Sequence, residues 1–75
     1  MKELVELIAR NLVDNPDDVQ VREVQGERAT TYELSVAPSD VGKIIGKGGR
    51  IIKSMRTVVS AAALQENRRV HIEVN

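Results

Sequence analysis

Residues 44–52 read Ile44-Ile45-Gly46-Lys47-Gly48-Gly49-Arg50-Ile51-Ile52, and two helical apolar patterns meet in this stretch at a short loop of glycine and lysine. Upstream, Val41, Ile44 and Ile45 share a face. Downstream, Ile51, Ile52, Met55, Val58, Val59, Ala62 and Ala63 fall within one arc of about 140° at roughly 100° per residue, with Arg50, Lys53 and Arg56 on an adjacent flank. One face of this second helix packs and the other is basic. A joint with so little side-chain bulk lets a ligand approach the backbone closely, and the cations around it select an anionic ligand. Nucleic-acid phosphate is the chemistry that fits.

Working outward, Pro38-Ser39-Asp40 has the composition of a helix start, with proline early and short polar side chains able to accept from free backbone amides. Gly46 stands where a left-handed residue commonly closes a last turn, and Gly49 opens the next helix. That helix ends where Glu66-Asn67-Arg68 breaks the pattern. Val70, Ile72 and Val74 then alternate with Arg69, His71 and Glu73 as a last strand.

On the upstream side, Val19 and Val21 alternate with Gln20 and Arg22, and Tyr32, Leu34 and Val36 alternate with Thr31, Glu33 and Ser35. Gln25-Gly26-Glu27-Arg28 between them carries turn chemistry, so the pair reads as a hairpin. The first helix places Leu4, Leu7, Ile8 and Leu12 opposite Lys2, Glu3, Glu6 and Arg10, and Asn15-Pro16-Asp17-Asp18 ends it, since proline removes a donor and disfavours a helical residue before it. The order helix-strand-strand-helix-helix-strand predicts a two-layer α+β domain over residues 1–75, its three-stranded sheet covered by helices on one face.

The 75 residues can hold one small domain, burying roughly 60% of the surface the unfolded chain exposes. Eleven basic and eleven acidic residues cancel overall, yet they are segregated. Residues 1–40 carry four cations and nine acids, a net of −5. Residues 41–75 carry seven cations and two acids, a net of +5, and no acid interrupts the run from Lys43 to Arg56. Glu3, Glu6 and Arg10 interrupt the moderately apolar N-terminus before it reaches the length of a signal or a membrane span, so a cytoplasmic protein is expected.

Catalytic and metal chemistry find little to build on. The absence of cysteine excludes disulfides and thiolate sites, and a lone histidine, His71, has no serine, cysteine or carboxylate constellation around it. No cofactor is expected. Gly42-Lys43-Ile44-Ile45-Gly46-Lys47-Gly48 superficially resembles the phosphate loop of nucleotide hydrolases. That motif needs four residues between its glycines and Ser or Thr after its lysine, whereas here three intervene and Gly48 follows.

Ile45-Gly46-Lys47-Gly48-Gly49 followed by Ile52 resembles the hallmark of the KH domains, a Gly-x-x-Gly loop between two helices, preceded by Ile-Gly and followed by a buried isoleucine. The element order is similar to the type II, bacterial arrangement, and the likeness to small stand-alone bacterial members extends over essentially the whole chain. The resemblance implies a non-catalytic single-stranded RNA binder whose loop clamps the backbone of about four nucleotides. Gly46, Lys47, Gly48 and Gly49 would then meet phosphate, with Lys43, Arg50 and Lys53 as neighbouring cations. Ile44, Ile45 and Leu34 would lie near the floor of an aliphatic groove for the bases.

With Tyr32 as the only aromatic residue, the stacking platforms of other RNA folds are excluded. The resemblance further implies a role as RNA chaperone or post-transcriptional regulator, a homodimer, and pairing with a larger KH protein of the Jag type. Single-stranded DNA shares the backbone phosphates and stays open as a ligand. The other reading is a protein-interaction module that keeps the fold without binding RNA, for which Ala61-Ala62-Ala63 would permit close approach of a second helix.

Overall fold

In the computed structural model, which describes residues 1–63 and 68–75, helix α1 spans Lys2–Leu12 and is followed by a 3-10 turn at Pro16–Asp18. Strands β1 (Gln20–Gln25) and β2 (Ala29–Ser35) form the hairpin. A second 3-10 turn, Pro38–Asp40, leads into α2 (Val41–Ile45); α3 (Arg50–Ala62) and β3 (Arg69–Val74) complete the fold. The observed order is the α+β order that the periodicity predicts. The break expected at Glu66 and Asn67 lies outside the described residues.

The sheet runs β1-β2-β3, with β1 antiparallel to β2 and β3 parallel to β2. Register puts Val21 beside Leu34, Leu34 beside Val74 and Tyr32 beside Ile72, so their alternation places one apolar row after another on the same face. Thr30, Tyr32 and Leu34 are buried along β2, as are Val70 and Ile72 on β3. The opposite face carries Arg22, Glu33, His71 and Glu73, and Arg22 pairs with Glu33 at 2.8 Å. Helices cover one face only.

The face of α1 differs from expectation. Val5 and Ala9, one turn apart, are wholly buried, whereas Leu4, Ile8 and Leu12 rest at the edge of the core and Leu7 is 60% exposed. The contact line passes through the smaller side chains because they let the helix lie close against β1 and α3; the bulkier leucines fill the margins. In α3 the core line runs through Met55 and Val59 and continues at Ala63, just past the helix end, with Ile52 half-buried against it, and the apolar arc is wider than the buried face: Val58 is 51% exposed.

Arg68, one of the seven cations counted in residues 41–75, is engaged within the fold. Its guanidinium donates to the hydroxyl of Thr30 (3.0 Å) and to the carbonyls of Gly26 (2.6 Å) and Ala29 (3.1 Å). It staples the hairpin turn to the start of β3, satisfying Thr30, one of the two buried polar residues among those described.

Candidate nucleic-acid interface

The site begins in α2, whose five residues are far too few to hold a helix in isolation. Two anchors fix it. Ile44 inserts into the core at 0% exposure, and Asp40, just ahead of the helix, is also wholly buried. Asp40 takes the N-cap position of α2, but its side chain makes none of the capping hydrogen bonds that the sequence suggests. Its carboxylate turns toward the connection after α1, accepting from the amides of Asp14 (3.3 Å) and Asn15 (3.1 Å) and from the Asn15 side chain (3.0 Å).

Burial pushes the Asp40 carboxyl upward, but the donors from Asn15, Asp14 and Lys43 outweigh it and hold the group below the ordinary carboxylate range. A partner some 25 residues away in sequence leaves no local signal, which is why the capping reading missed this link.

Lys43 completes the cluster. Its ammonium donates to the Asp14 carboxylate and lies 3.4 Å from that of Asp40. The hydrogen bond to Asp14 is the main reason that its pKa is raised. The cation expected on the binding surface is therefore engaged inside the molecule.

Beyond Ile45 the chain turns through Gly46 at φ 75°, ψ 175°, a region that only glycine occupies readily, with the side chain of Ile51 lying directly over it. Gly46 N–H donates to the Gly42 carbonyl (2.9 Å), and its own carbonyl accepts from Gly49 N–H (3.2 Å). Gly48 and Gly49 are both left-handed, at φ 65° and 78°, and open space surrounds the position of a missing Cβ in each. Gly49 is the N-cap of α3. The loop is thus tight at its first glycine and bare at the other two.

Lys47 in the loop and Arg50, Lys53 and Arg56 along the first two turns of α3 are all exposed, and none of them takes part in an ion pair among the described residues. Of the three residues expected near an aliphatic floor, only Ile45, 36% exposed, presents surface. Leu34 and Ile44, at 1% and 0%, belong to the core and have none to offer a base. Alternation and helical phase mark both as apolar; the burial of Ile44 against the exposure of its neighbour follows from how α2 is seated, which five residues of pattern do not specify. Tyr32 is 3% exposed, so no aromatic ring faces solvent among the described residues. No helix among them is long and apolar enough to cross a membrane.

Residues 2–74 match the family model for the KH domain of KhpA/KhpB. The chain is 60% identical over 74 residues to the RNA-binding protein KhpA of Clostridium perfringens, covering 99% of both sequences. It is 51% identical over 74 residues to the RNA-binding protein KhpA of Chlamydia pneumoniae, covering 99% of this chain and 95% of that one. Among solved structures it is similar to Aquifex aeolicus Era, with a TM-score of 0.72 at 21% identity over 97% of this chain; it spans 28% of that protein. The same values hold for Era in complex with MgGDPNP and nucleotides 1506–1542 of 16S ribosomal RNA. The likeness to Era is one of fold.

Proposed function

We propose, from the premise that this chain belongs to the KhpA/KhpB family of KH domains, that residues 1–75 form one non-catalytic domain that binds single-stranded RNA by gripping its backbone at the Gly46–Gly49 loop. The observation that carries the reading is the combination at the start of α3. Two left-handed glycines leave the backbone bare at the N-terminus of a 13-residue helix, and four exposed cations without an ion pair among the described residues run from the loop along the first two turns of that helix. First-turn amides and the helix dipole favour an anion there, and the cations add mobile positive charge.

Bases would lie over Ile45. With Tyr32 buried, base contacts are aliphatic and hydrogen-bonded rather than stacked, so sequence selectivity from one such domain is low. A chaperone-like or post-transcriptional role in the cytoplasm suits weak, backbone-directed binding.

The test is a fluorescence-anisotropy titration of a short single-stranded RNA with the wild type and with the Lys47→Asp, Gly48→Asp double variant, and with DNA of the same sequence as a second ligand. Salt-sensitive RNA binding that is lost in a folded double variant supports the reading. Absence of binding by the wild type overturns it in favour of a protein-interaction module.

Self-association is a compatible second property, favoured by one observation. Val58 is 51% exposed on α3, beside exposed Ala61 and Ala62. A homodimer, or a pair with a larger KH protein of the Jag type, would cover these residues and link two weak RNA sites, raising the effective affinity. Sedimentation of the wild type and of Val58→Glu tests this.

A further inference from the structure

Lys43 is the cation on α2, three residues before Gly46, and its ammonium is engaged by two carboxylates of the same chain. Helical side chains lean toward the N-terminus of their helix, and the ammonium of Lys43 follows this lean to reach Asp40, three residues earlier. Asp14, from the connection after α1, accepts from the same ammonium.

The two carboxylates are not equivalent. Asp40 is wholly buried and accepts from the amides of Asp14 and Asn15 and from the Asn15 side chain, besides its 3.4 Å contact with Lys43. Its charge is compensated largely without the lysine. The Asp14 side chain is 75% exposed, and its carboxylate has Lys43 as its hydrogen-bond and ion-pair partner.

We infer that Asp14 limits the affinity of this domain for RNA: its carboxylate occupies Lys43 as an internal substitute for a backbone phosphate. The inference rests on the proposed RNA-binding function. An exposed carboxylate and an incoming phosphate compete for the same flexible four-carbon ammonium, and whichever holds it, the other does without. Releasing Lys43 adds one cation, on the helix that ends in the loop, to the set of Lys47, Arg50, Lys53 and Arg56. Asp17 and Asp18 stand in the same connection, are exposed, and make no ion pair among the described residues, so they supply the control for loss of negative charge alone.

The experiment measures the dissociation constant for a single-stranded RNA by anisotropy at several salt concentrations for five proteins: wild type, Asp14→Asn, Asp17→Asn, Lys43→Ala, and the Asp14→Asn, Lys43→Ala double variant, each checked by thermal melting. Asp14→Asn is expected to bind about two- to five-fold more tightly than Asp17→Asn, the range of one exposed ion pair gained. Its slope of log affinity against log salt steepens by about 0.7, the value of one added phosphate contact on a single strand. Lys43→Ala alone changes affinity less than about two-fold, and in the double variant the gain disappears, so the two residues couple.

Equal affinities for Asp14→Asn and Asp17→Asn, or a gain that survives without Lys43, overturn the inference while leaving RNA binding itself intact. Failure of the wild type to bind removes the proposed function and this inference together; the wild-type titration therefore separates the two failures.

Discussion

The Cβ that Gly46 lacks would sit 2.5 Å from Cγ1 of Ile51 and 2.8 Å from its Cδ1, so α2 and α3 meet at a joint that admits only a hydrogen. Both atoms belong to a side chain of the first turn of α3, and Ile51 is held half-buried against that joint. Gly46 is therefore a packing requirement as well as a conformational one. Gly48, two residues on, has open space at the same position.

The two glycines separate by substitution. Gly46→Ala adds left-handed strain to an overpacked contact and is expected to destabilise the domain by about 2–5 kcal/mol, whereas Gly48→Ala meets only the left-handed penalty of about 1–2 kcal/mol. Urea denaturation of the two variants checks the order. Equal losses would show that the Ile51 contact yields without cost.

Lys47→Asp with Gly48→Asp places two carboxylates where phosphate is proposed to lie. Lys47 is exposed, and aspartate tolerates the left-handed region better than most residues, so the melting temperature should fall by no more than about 5 °C while RNA binding is lost. Wild-type affinity should itself fall on the order of fifty-fold for a fourfold rise in salt if about four phosphates are neutralised at a slope of 0.7 each. Binding that persists in the double variant at wild-type strength removes the loop from the interface.

Adjacent isoleucines have opposite roles. Ile44 is 0% exposed and Ile45 36%. Ile44→Ala leaves a cavity under α2 and is expected to cost about 2–4 kcal/mol, whereas Ile45→Ala should change stability by about 0.5 kcal/mol or a little more and weaken RNA binding at matched folded fraction. Parallel denaturation and anisotropy titrations read both. An Ile45→Ala variant with unchanged affinity would mean that the bases lie elsewhere.

These pairs also mark how far the sequence alone is legible. The order of elements, the sheet with its covered face and the glycine joint follow from period-two and period-3.6 patterns, because those are local. What escapes is decided by partners distant in sequence. Leu7 and Val58 belong to apolar faces by phase yet stay exposed, since neither helix is buried across its full apolar arc. Lys43 and Arg68 count toward the positive charge of residues 41–75, yet one is held by Asp14 and Asp40 and the other by the hairpin carbonyls. Asp40 reads as a cap and serves as a clamp 25 residues long in sequence. Formal charge by segment overstates the cationic surface wherever the fold satisfies the cations internally.

The clamp has a pH dependence of definite sign. The Asp40 carboxyl lies below its ordinary value of 3.8 in the folded protein, so the folded state binds fewer protons than the unfolded one through that range. Its contribution to stability is complete above the ordinary value and is lost as the pH falls through the folded one, because a protonated Asp40 no longer balances the donors of Asp14, Asn15 and Lys43. Glu3 shifts the same way through a bond to its own backbone and the nearby N-terminal ammonium, but its side chain is 88% exposed and solvent screens it. Thermal melts of wild type and Asp40→Asn from pH 7 to pH 2.5 isolate the clamp. At pH 7 the variant, which turns one acceptor of the buried Asp40 side chain into a donor facing the amides of Asp14 and Asn15, should melt on the order of 10 °C lower. The gap should narrow as the pH falls from the ordinary carboxyl value of 3.8 toward the lowered value of the folded state. A gap of constant width across the series would show that Asp40 is held by packing and not by its charge.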